Sequence, residues 1–300
     1  MSTRGKTIKQ DSEETLVLSR PMVVRRSELT VDHEACCGCG TCATVCPREA
    51  ITLSDPKIEE NRLVQKPRVD INPELCNFCG ECVVLCPTRA LSMTVDGEPQ
   101  IPVLEADAFP SLIRKVEVRQ APCEATTDVS YIDNCPADAI SVDIERDEEG
   151  NVISVRNVEV DRDRCFACTR CMREGPDGAF TITKPYKGRV YVNLSREPSA
   201  YQPCADICPT NAISIDDGEF FLDERFCIYC GACEEVCPVE GDIRVVRTGF
   251  EHTPVKSAAW TAALEKLVSF KEATRELEVK GQQKRRKLVF EAFLLGIEQE

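Results

Sequence analysis

Cys36-Cys37-Gly38-Cys39-Gly40-Thr41-Cys42-Ala43-Thr44-Val45-Cys46-Pro47 and Cys76-Asn77-Phe78-Cys79-Gly80-Glu81-Cys82-Val83-Val84-Leu85-Cys86-Pro87 are the stretches whose reading decides the fold. Both follow C-x2-C-x2-C-x3-C-P, the spacing of thiolates that wraps a [4Fe–4S] cube. Three thiolates on one tight loop reach three irons of one cube. The fourth lies too far along the following helix and reaches the neighbouring cube instead. Two such runs in tandem point to electron transfer.

Composition agrees with a partly inorganic interior. The chain has 300 residues, 20 cysteines and only 6% aromatic residues. An even cysteine count admits a disulfide scaffold, but the N-terminal MSTRGKTIKQDSEE lacks the apolar core of a signal peptide. No apolar run reaches membrane-spanning length. The expectation is a soluble, cytoplasmic protein whose thiols are kept reduced for metal. The formal charge of −14 disfavours nucleic acid as a partner. His33 and His252 are the two histidines, too few for His-based metal or general-base chemistry.

A repeat begins at residue 29 and recurs six times. Each copy has a short β-branched strand, a cysteine loop, a helical turn and a Cys-Pro-x-x-Ala-Ile-like segment leading into another strand. Leading strands are LTVD, RVDI, VEVR, VEVD, VYVN and FFLD; trailing segments are CPREAITL, CPTRALSM, CPADAISV, GPDGAFTI, CPTNAISI and CPVEGDIRV. Alternation in ISVDI and FTITK has the period of a half-buried strand. Cys46 to Cys76 and Cys135 to Cys165 are each 30 positions apart, whereas Cys208 to Cys227 is 19, so the third pair has lost its central insertion. The expected fold is α+β: an N-terminal arm at 1–28, then two-cluster units at 29–106, 107–187 and 188–250, then a helical tail at 251–300. The arm, broken at Pro21, reads as an extended or edge strand. In the tail, Ser257 is a candidate N-cap for a helix carrying Trp260, Leu264, Leu267 and Val268. Gly281 is expected to interrupt that helix, and KRRKLVFEAFLLGIE to form a second one.

Ligand counting departs from a simple array. In the first unit, Cys36, Cys39 and Cys42 take Cys86, while Cys76, Cys79 and Cys82 take Cys46; Cys37 fits neither register. In the second unit, Cys165, Cys168 and Cys171 take Cys135. The companion site has Tyr131, Asp128 and Ala125 at the near positions and Gly175 at the remote one. Near and remote ligands are missing together, as the crossed pairing requires when one whole cluster is lost. In the third unit, Cys227, Cys230 and Cys233 take Cys208. Its companion site retains only Cys204 and Cys237, with Pro198 and Tyr201 at the other positions. Tyr131 and Tyr201 are suitable fillings for emptied cluster cavities. The count is four [4Fe–4S] clusters; a fifth set from Cys204, Cys237 and Cys123 is the alternative to leftover buried thiols.

Zinc ribbons use paired C-x2-C sites, not these triplets. No C-x3-C-x2-C radical loop, G-x4-G-K-[ST] loop or G-x-G-x-x-G motif is present. No active site is expected on the chain. It reads as a wire of clusters in chain order, serving an oxidoreductase complex as a subunit or acting as a free soluble carrier. The repeated CPxxAI units resemble archaeal, methanogen-type polyferredoxins over residues 29–250. The tandem dicluster units, the strand-Asp-x-x-x-Cys leads and the tail HTPVKSAAWTAALEKL resemble the polyferredoxin component of formylmethanofuran dehydrogenase. That resemblance implies tandem bacterial-type ferredoxin folds and an electron conduit feeding carbon dioxide reduction to formylmethanofuran. It implies partners of the formylmethanofuran dehydrogenase, heterodisulfide reductase or hydrogenase type, with the carbon dioxide chemistry on a tungsten or molybdenum subunit. Members of that family carry more clusters than are counted here.

Overall fold

A computed structural model describes residues 5–297, except for the side chains of Glu276, Lys280 and residues 286–297. The first part runs β1 (Ile8–Asp11), β2 (Thr15–Pro21), β3 (Arg26–Asp32), α1 (Thr41–Val45), β4 (Ile51–Leu53), β5 (Lys57–Glu59), β6 (Arg62–Gln65), β7 (Val69–Ile71), α2 (Glu81–Val84), β8 (Leu91–Val95) and β9 (Glu98–Pro99). Then come α3 (Pro102–Glu105), β10 (Val116–Val118), α4 (Gln120–Glu124), α5 (Ser130–Asp133), β11 (Ile140–Arg146), β12 (Val152–Val160), α6 (Arg170–Glu174) and β13 (Phe180–Ile182). The last part holds β14 (Tyr186–Val192), a 3-10 turn at Pro198–Tyr201, α7 (Gln202–Asp206), β15 (Ile213–Asp216), β16 (Glu219–Leu222), α8 (Ala232–Glu235), β17 (Ile243–Phe250), α9 (Ala258–Leu267) and α10 (Phe270–Ile297).

Strand pairing is nested in the same way in all three parts. A leading strand pairs with the last trailing strand, and the inner trailing and leading strands pair with each other. Thus β3 pairs β8 with Val31 opposite Leu91, while β4 pairs β7 with Ile51 opposite Ile71. The pairs β10–β13 and β11–β12 repeat the pattern, as do β14–β17 and β15–β16. All pairs are antiparallel, so each nested set folds a chain segment back on itself and brings its two cysteine loops together. Every leading and trailing segment read from the sequence lies in one of these strands.

The N-terminal segment is more than an arm. Its hairpin extends the first sheet to the order β1-β2-β3-β8-β9. Leu16 and Leu18 are fully buried in the core that holds Val31, Ile71 and Cys86. Pro21 closes β2 opposite Arg26 instead of breaking it, tolerated at the last residue of the strand, beyond the Ile8–Ser19 end of the pairing with β1, where no ladder donor is required. From β2, Arg20 reaches over to donate to the Cys76 carbonyl at 2.6 Å, with its guanidinium 4.6 Å from the centre of the Phe78 ring.

The tail also differs from expectation. Ser257 caps α9 by accepting from the Trp260 amide at 3.1 Å. The helix then stops at Val268, well before Gly281, because Val268 bridges to Arg247 and the Ser269 amide donates to the Arg247 carbonyl at 2.9 Å. Hydrogen bonding to β17 captures the backbone there. By contrast, α10 runs through Gly281, where the cost of about 1 kcal/mol for a mid-helix glycine does not break a 28-residue helix. The basic run at 284–287 falls within α10, with the side chains of Arg286 and Lys287 outside the described residues. Trp260, Ala263 and Leu267 are buried against Val45, Val84, Leu85, Phe109 and Phe250, so α9 docks back onto the helical turns of the first part.

Replacing Leu18 by Ala should cost about 2–5 kcal/mol, the usual range for a buried Leu truncation. Anaerobic denaturant titration should therefore show an earlier midpoint; an unchanged midpoint would mean that the hairpin is dispensable.

Candidate iron–sulfur sites

The cysteine loops share an unusual backbone. After the first cysteine of each triplet, two residues adopt left-handed conformations: Gly38 and Gly40, Phe78 and Gly80, Ala167 and Thr169, Tyr229 and Gly231. This winding turns amides toward sulfur in the manner of an anion-binding nest. The Gly38 amide lies 3.5 Å from Cys36 Sγ, the Ala167 amide 3.4 Å from Cys165 Sγ and the Tyr229 amide 3.3 Å from Cys227 Sγ. Gly38 has a second requirement, since a Cβ there would lie 2.7 Å from the Pro67 carbonyl oxygen. The Cys-Pro-x-x-Ala motif is built similarly. Its fourth residue is left-handed at Glu49, Arg89, Asp138 and Asn211. The following alanine amide then donates back to sulfur: Ala50 to Cys46 at 3.3 Å, Ala139 to Cys135 at 3.4 Å and Ala212 to Cys208 at 3.2 Å.

The loops gather the thiols into four neighbourhoods, the first two adjoining through Cys42, Cys82 and Cys86. Cys36 and Cys42 lie in the field of Cys39 and Cys86. Around Cys82 stand Cys79, Cys76 and Cys46. Cys168, Cys165 and Cys135 surround Cys171, and these four line one cavity with Ile140 and Phe166. Cys230, Cys227 and Cys208 surround Cys233, with Cys204 next to them. In each group the triplet comes from one half of the repeat and the remaining cysteine from the other.

The groups suit a polynuclear cluster better than a single ion. Among the described residues, no three His, Cys, Asp or Glu side chains converge to hold one metal ion. Thiolates on a cube bind four different irons, so they are spaced by the cube. Burial pushes the thiols of Cys36, Cys171 and Cys227 up to about 12, helped by neighbouring cysteines. Such groups stay protonated unless metal charge offsets their burial and mutual repulsion. Apolar walls, inward amides and four convergent thiols therefore fit a [4Fe–4S] cluster at each place.

The companion site of the second unit keeps the shape of a Cys-Pro turn without its sulfur. Gly175-Pro176-Asp177-Gly178 turns as the Cys-Pro motifs do, with Gly178 left-handed. Tyr131 and Tyr201 are almost completely buried, as expected for residues filling emptied cavities. Tyr131 packs against Phe180 at 5.4 Å between ring centres. Its hydroxyl faces the Cys123 thiol, without a well-aligned hydrogen bond. Tyr201 is better satisfied: its hydroxyl donates to Asp242 and accepts from the Ser195 amide at 3.1 Å and the Arg196 amide at 3.2 Å. Cys204 and Cys237 contact each other in the third core, while Cys123 sits in the second. The structure does not bring these three together as a fifth set.

Asp242 also accepts from the Ser195 hydroxyl at 2.6 Å. Hydrogen bonds from Ser195 and Tyr201 hold its carboxyl below the ordinary 3.8. A carboxylate held low contributes stability above its unfolded value, lost as pH falls through the lower folded value. Tyr201→Phe should therefore lower the thermal midpoint at pH 7 without changing bound iron. Anaerobic calorimetry with iron analysis checks this, and an unchanged midpoint contradicts a structural role for the hydroxyl.

The family described as 4Fe-4S dicluster domain matches residues 35–90 and 202–240. An uncharacterized ferredoxin of Methanocaldococcus jannaschii is 35% identical over 77 residues, 25% of this chain and 45% of that protein. The polyferredoxin-like subunit of an aliphatic sulfonate oxidoreductase of Pyrococcus furiosus is 50% identical over 38 residues, 12% of this chain and 22% of that one. The chain thus spans less than half the length of either curated relative. A chain of the formate dehydrogenase, heterodisulfide reductase and formylmethanofuran dehydrogenase complex from Methanospirillum hungatei superposes with a TM-score of 0.74 and 25% identity. That match covers 90% of this chain and 93% of that one. Dicluster ferredoxin folds over two stretches, and likeness to polyferredoxin-like proteins, mark this chain as an iron–sulfur electron-transfer protein related to the polyferredoxins.

Proposed function

We propose that the chain is a non-catalytic electron conduit with four [4Fe–4S] clusters in three ferredoxin-like units at 29–106, 107–187 and 188–250. The clusters are held by Cys36, Cys39, Cys42 and Cys86; by Cys76, Cys79, Cys82 and Cys46; by Cys165, Cys168, Cys171 and Cys135; and by Cys227, Cys230, Cys233 and Cys208. The supporting observation is the convergence of each triplet with a cysteine from the opposite half-repeat. When bound, such clusters supply one-electron transfer. The residues of the chain do the rest: amides at Ala50, Ala139 and Ala212 stabilise charge on sulfur, and apolar side chains restrict water.

The finer reading is a conduit that feeds formylmethanofuran dehydrogenase from within a redox complex. It rests on the fold shared, along nearly the whole chain, with a component of the Methanospirillum complex. A conduit for another oxidoreductase is the second reading, favoured by the relative from Pyrococcus. Among the described residues, no helix is long and apolar enough to cross a membrane. An oxygen-free native pull-down tests these readings. Co-purification with formylmethanofuran dehydrogenase supports the first, a different oxidoreductase the second, and elution alone a free carrier.

Iron analysis of anaerobically purified protein should give about sixteen irons, four per cube; twenty or more would overturn the count. Cys135→Ala should alter the paramagnetic signal of one cluster and leave three intact. Chelation of iron should remove most of the native circular dichroism, because metal binding and folding are coupled in metal-rich small domains; retention of the native spectrum would contradict an inorganic core.

A further inference from the structure

Cys37 belongs to no ligand set, yet it is only 5% exposed. It is buried in a cluster drawn mostly from the other two units, including Ile228, Cys230, Tyr201 and Cys168. It packs in one buried cluster with two ligand cysteines of different units, Cys39 and Cys230.

The surrounding contacts hold these two loops face to face. Thr41 Oγ1 lies 3.5 Å from the Cys230 carbonyl oxygen. Arg247 donates to Thr41 Oγ1 at 3.3 Å, to the Tyr229 carbonyl at 2.9 Å and to the Cys230 carbonyl. The loops approach closely: a Cβ at Gly40 would lie 3.2 Å from Glu235 Oε1 of the third unit, tight enough to make that side chain shift. The first and third units are therefore direct neighbours, although the second lies between them in sequence.

We propose that Cys37 is a positioning residue that couples the Cys39 set to the Cys230 set, so that electrons pass directly between the first and third units. The inference rests on the conduit reading above. A neutral thiol is a weak donor, and a hydrogen bond to a ligand sulfur tunes the potential of the cluster it holds. Packed with these two ligand cysteines, Cys37 adjusts the potential of one or both clusters and fills the space between them with polarizable sulfur. The exchange moves one electron from one set to the other. No bond forms or breaks.

Whole, anaerobically purified protein carrying Cys37→Ala or Cys37→Ser tests this by iron analysis and a redox titration followed by paramagnetic resonance. The signals of the two clusters are identified from Cys39→Ser and Cys230→Ser variants. In the wild type, those two signals should be spin-coupled when both clusters are reduced. Cys37→Ala should keep the iron content and shift one or both midpoints to lower potential, leaving the Cys76 and Cys165 clusters unmoved. Cys37→Ser, which retains a donor, should restore most of the shift. The proposal is overturned if all midpoints stay in place, if only the Cys76 or Cys165 cluster moves, if spin coupling is absent, or if about four irons are lost. That last result would make Cys37 a ligand. Failure of the wild type to hold about sixteen irons would instead count against the conduit reading.

Discussion

The structure depends on drawing a cysteine from one half of each repeat into the loop of the other. Cys135 joins Cys165, Cys168 and Cys171 in one cavity, and the same crossing occurs in the other three groups. The flanking strands β4, β7, β10 and β13 have three residues each, too short to be stable on their own. Shared thiols supply the missing cohesion once metal charge compensates their burial. The local backbone is adapted to the same end. Paired left-handed residues and the turn after Cys-Pro point amides at sulfur, where they stabilise developing thiolate charge and influence cluster potential.

Where the sequence lacks a full ligand set, aromatic side chains fill the interior. At the depleted site of the second unit the turn at Gly175–Gly178 keeps its geometry, while Tyr131 and Phe180 pack into the interior. In the third, Tyr201 brings a polar tip, which Asp242 and two amides satisfy. An aromatic ring provides apolar bulk in one side chain, so strand pairing survives without inorganic support. The nested pairs β10–β13 and β14–β17 remain intact around these sites.

The loops pack as a compact group instead of a wire in chain order. Arg114 donates to the Cys86 carbonyl at 2.8 Å and lies in the field of Cys165, linking the first and second segments. Lys184 donates to the Cys227 carbonyl at 2.8 Å, and the Thr169 hydroxyl donates to the Arg225 carbonyl at 3.0 Å, linking the second and third. Arg247 and Cys37 join the third back to the first. Helix α9 closes over α1 and α2 through Trp260 and Leu267. Arg114, Lys184 and Arg247 donate to backbone carbonyls of ligand cysteines in a chain whose net charge is −14.

Much of this was legible in the sequence because cysteine spacing is a geometric code. Ligand counting anticipated the Cys-Pro turns at Cys135 and Cys208 and the burial of Tyr131 and Tyr201. The strands, which are local and alternate with period two, and the Ser257 cap were legible as well. Other features depend on contacts between distant residues. The hairpin at β1 and β2 counts as core only because β3 offers a free edge. The helix break at Val268 arises from a backbone bridge to Arg247, and Ser269 starts the next helix by accepting from the Glu272 amide at 3.5 Å. Cys37 reads as a spare thiol until the third unit is folded against it. Sequence by itself determined the cysteine loops and their spacing, because a cube dictates ligand spacing along a loop. Only the tertiary structure decided which sets lie side by side, because that follows from side-chain contacts across units more than a hundred residues apart.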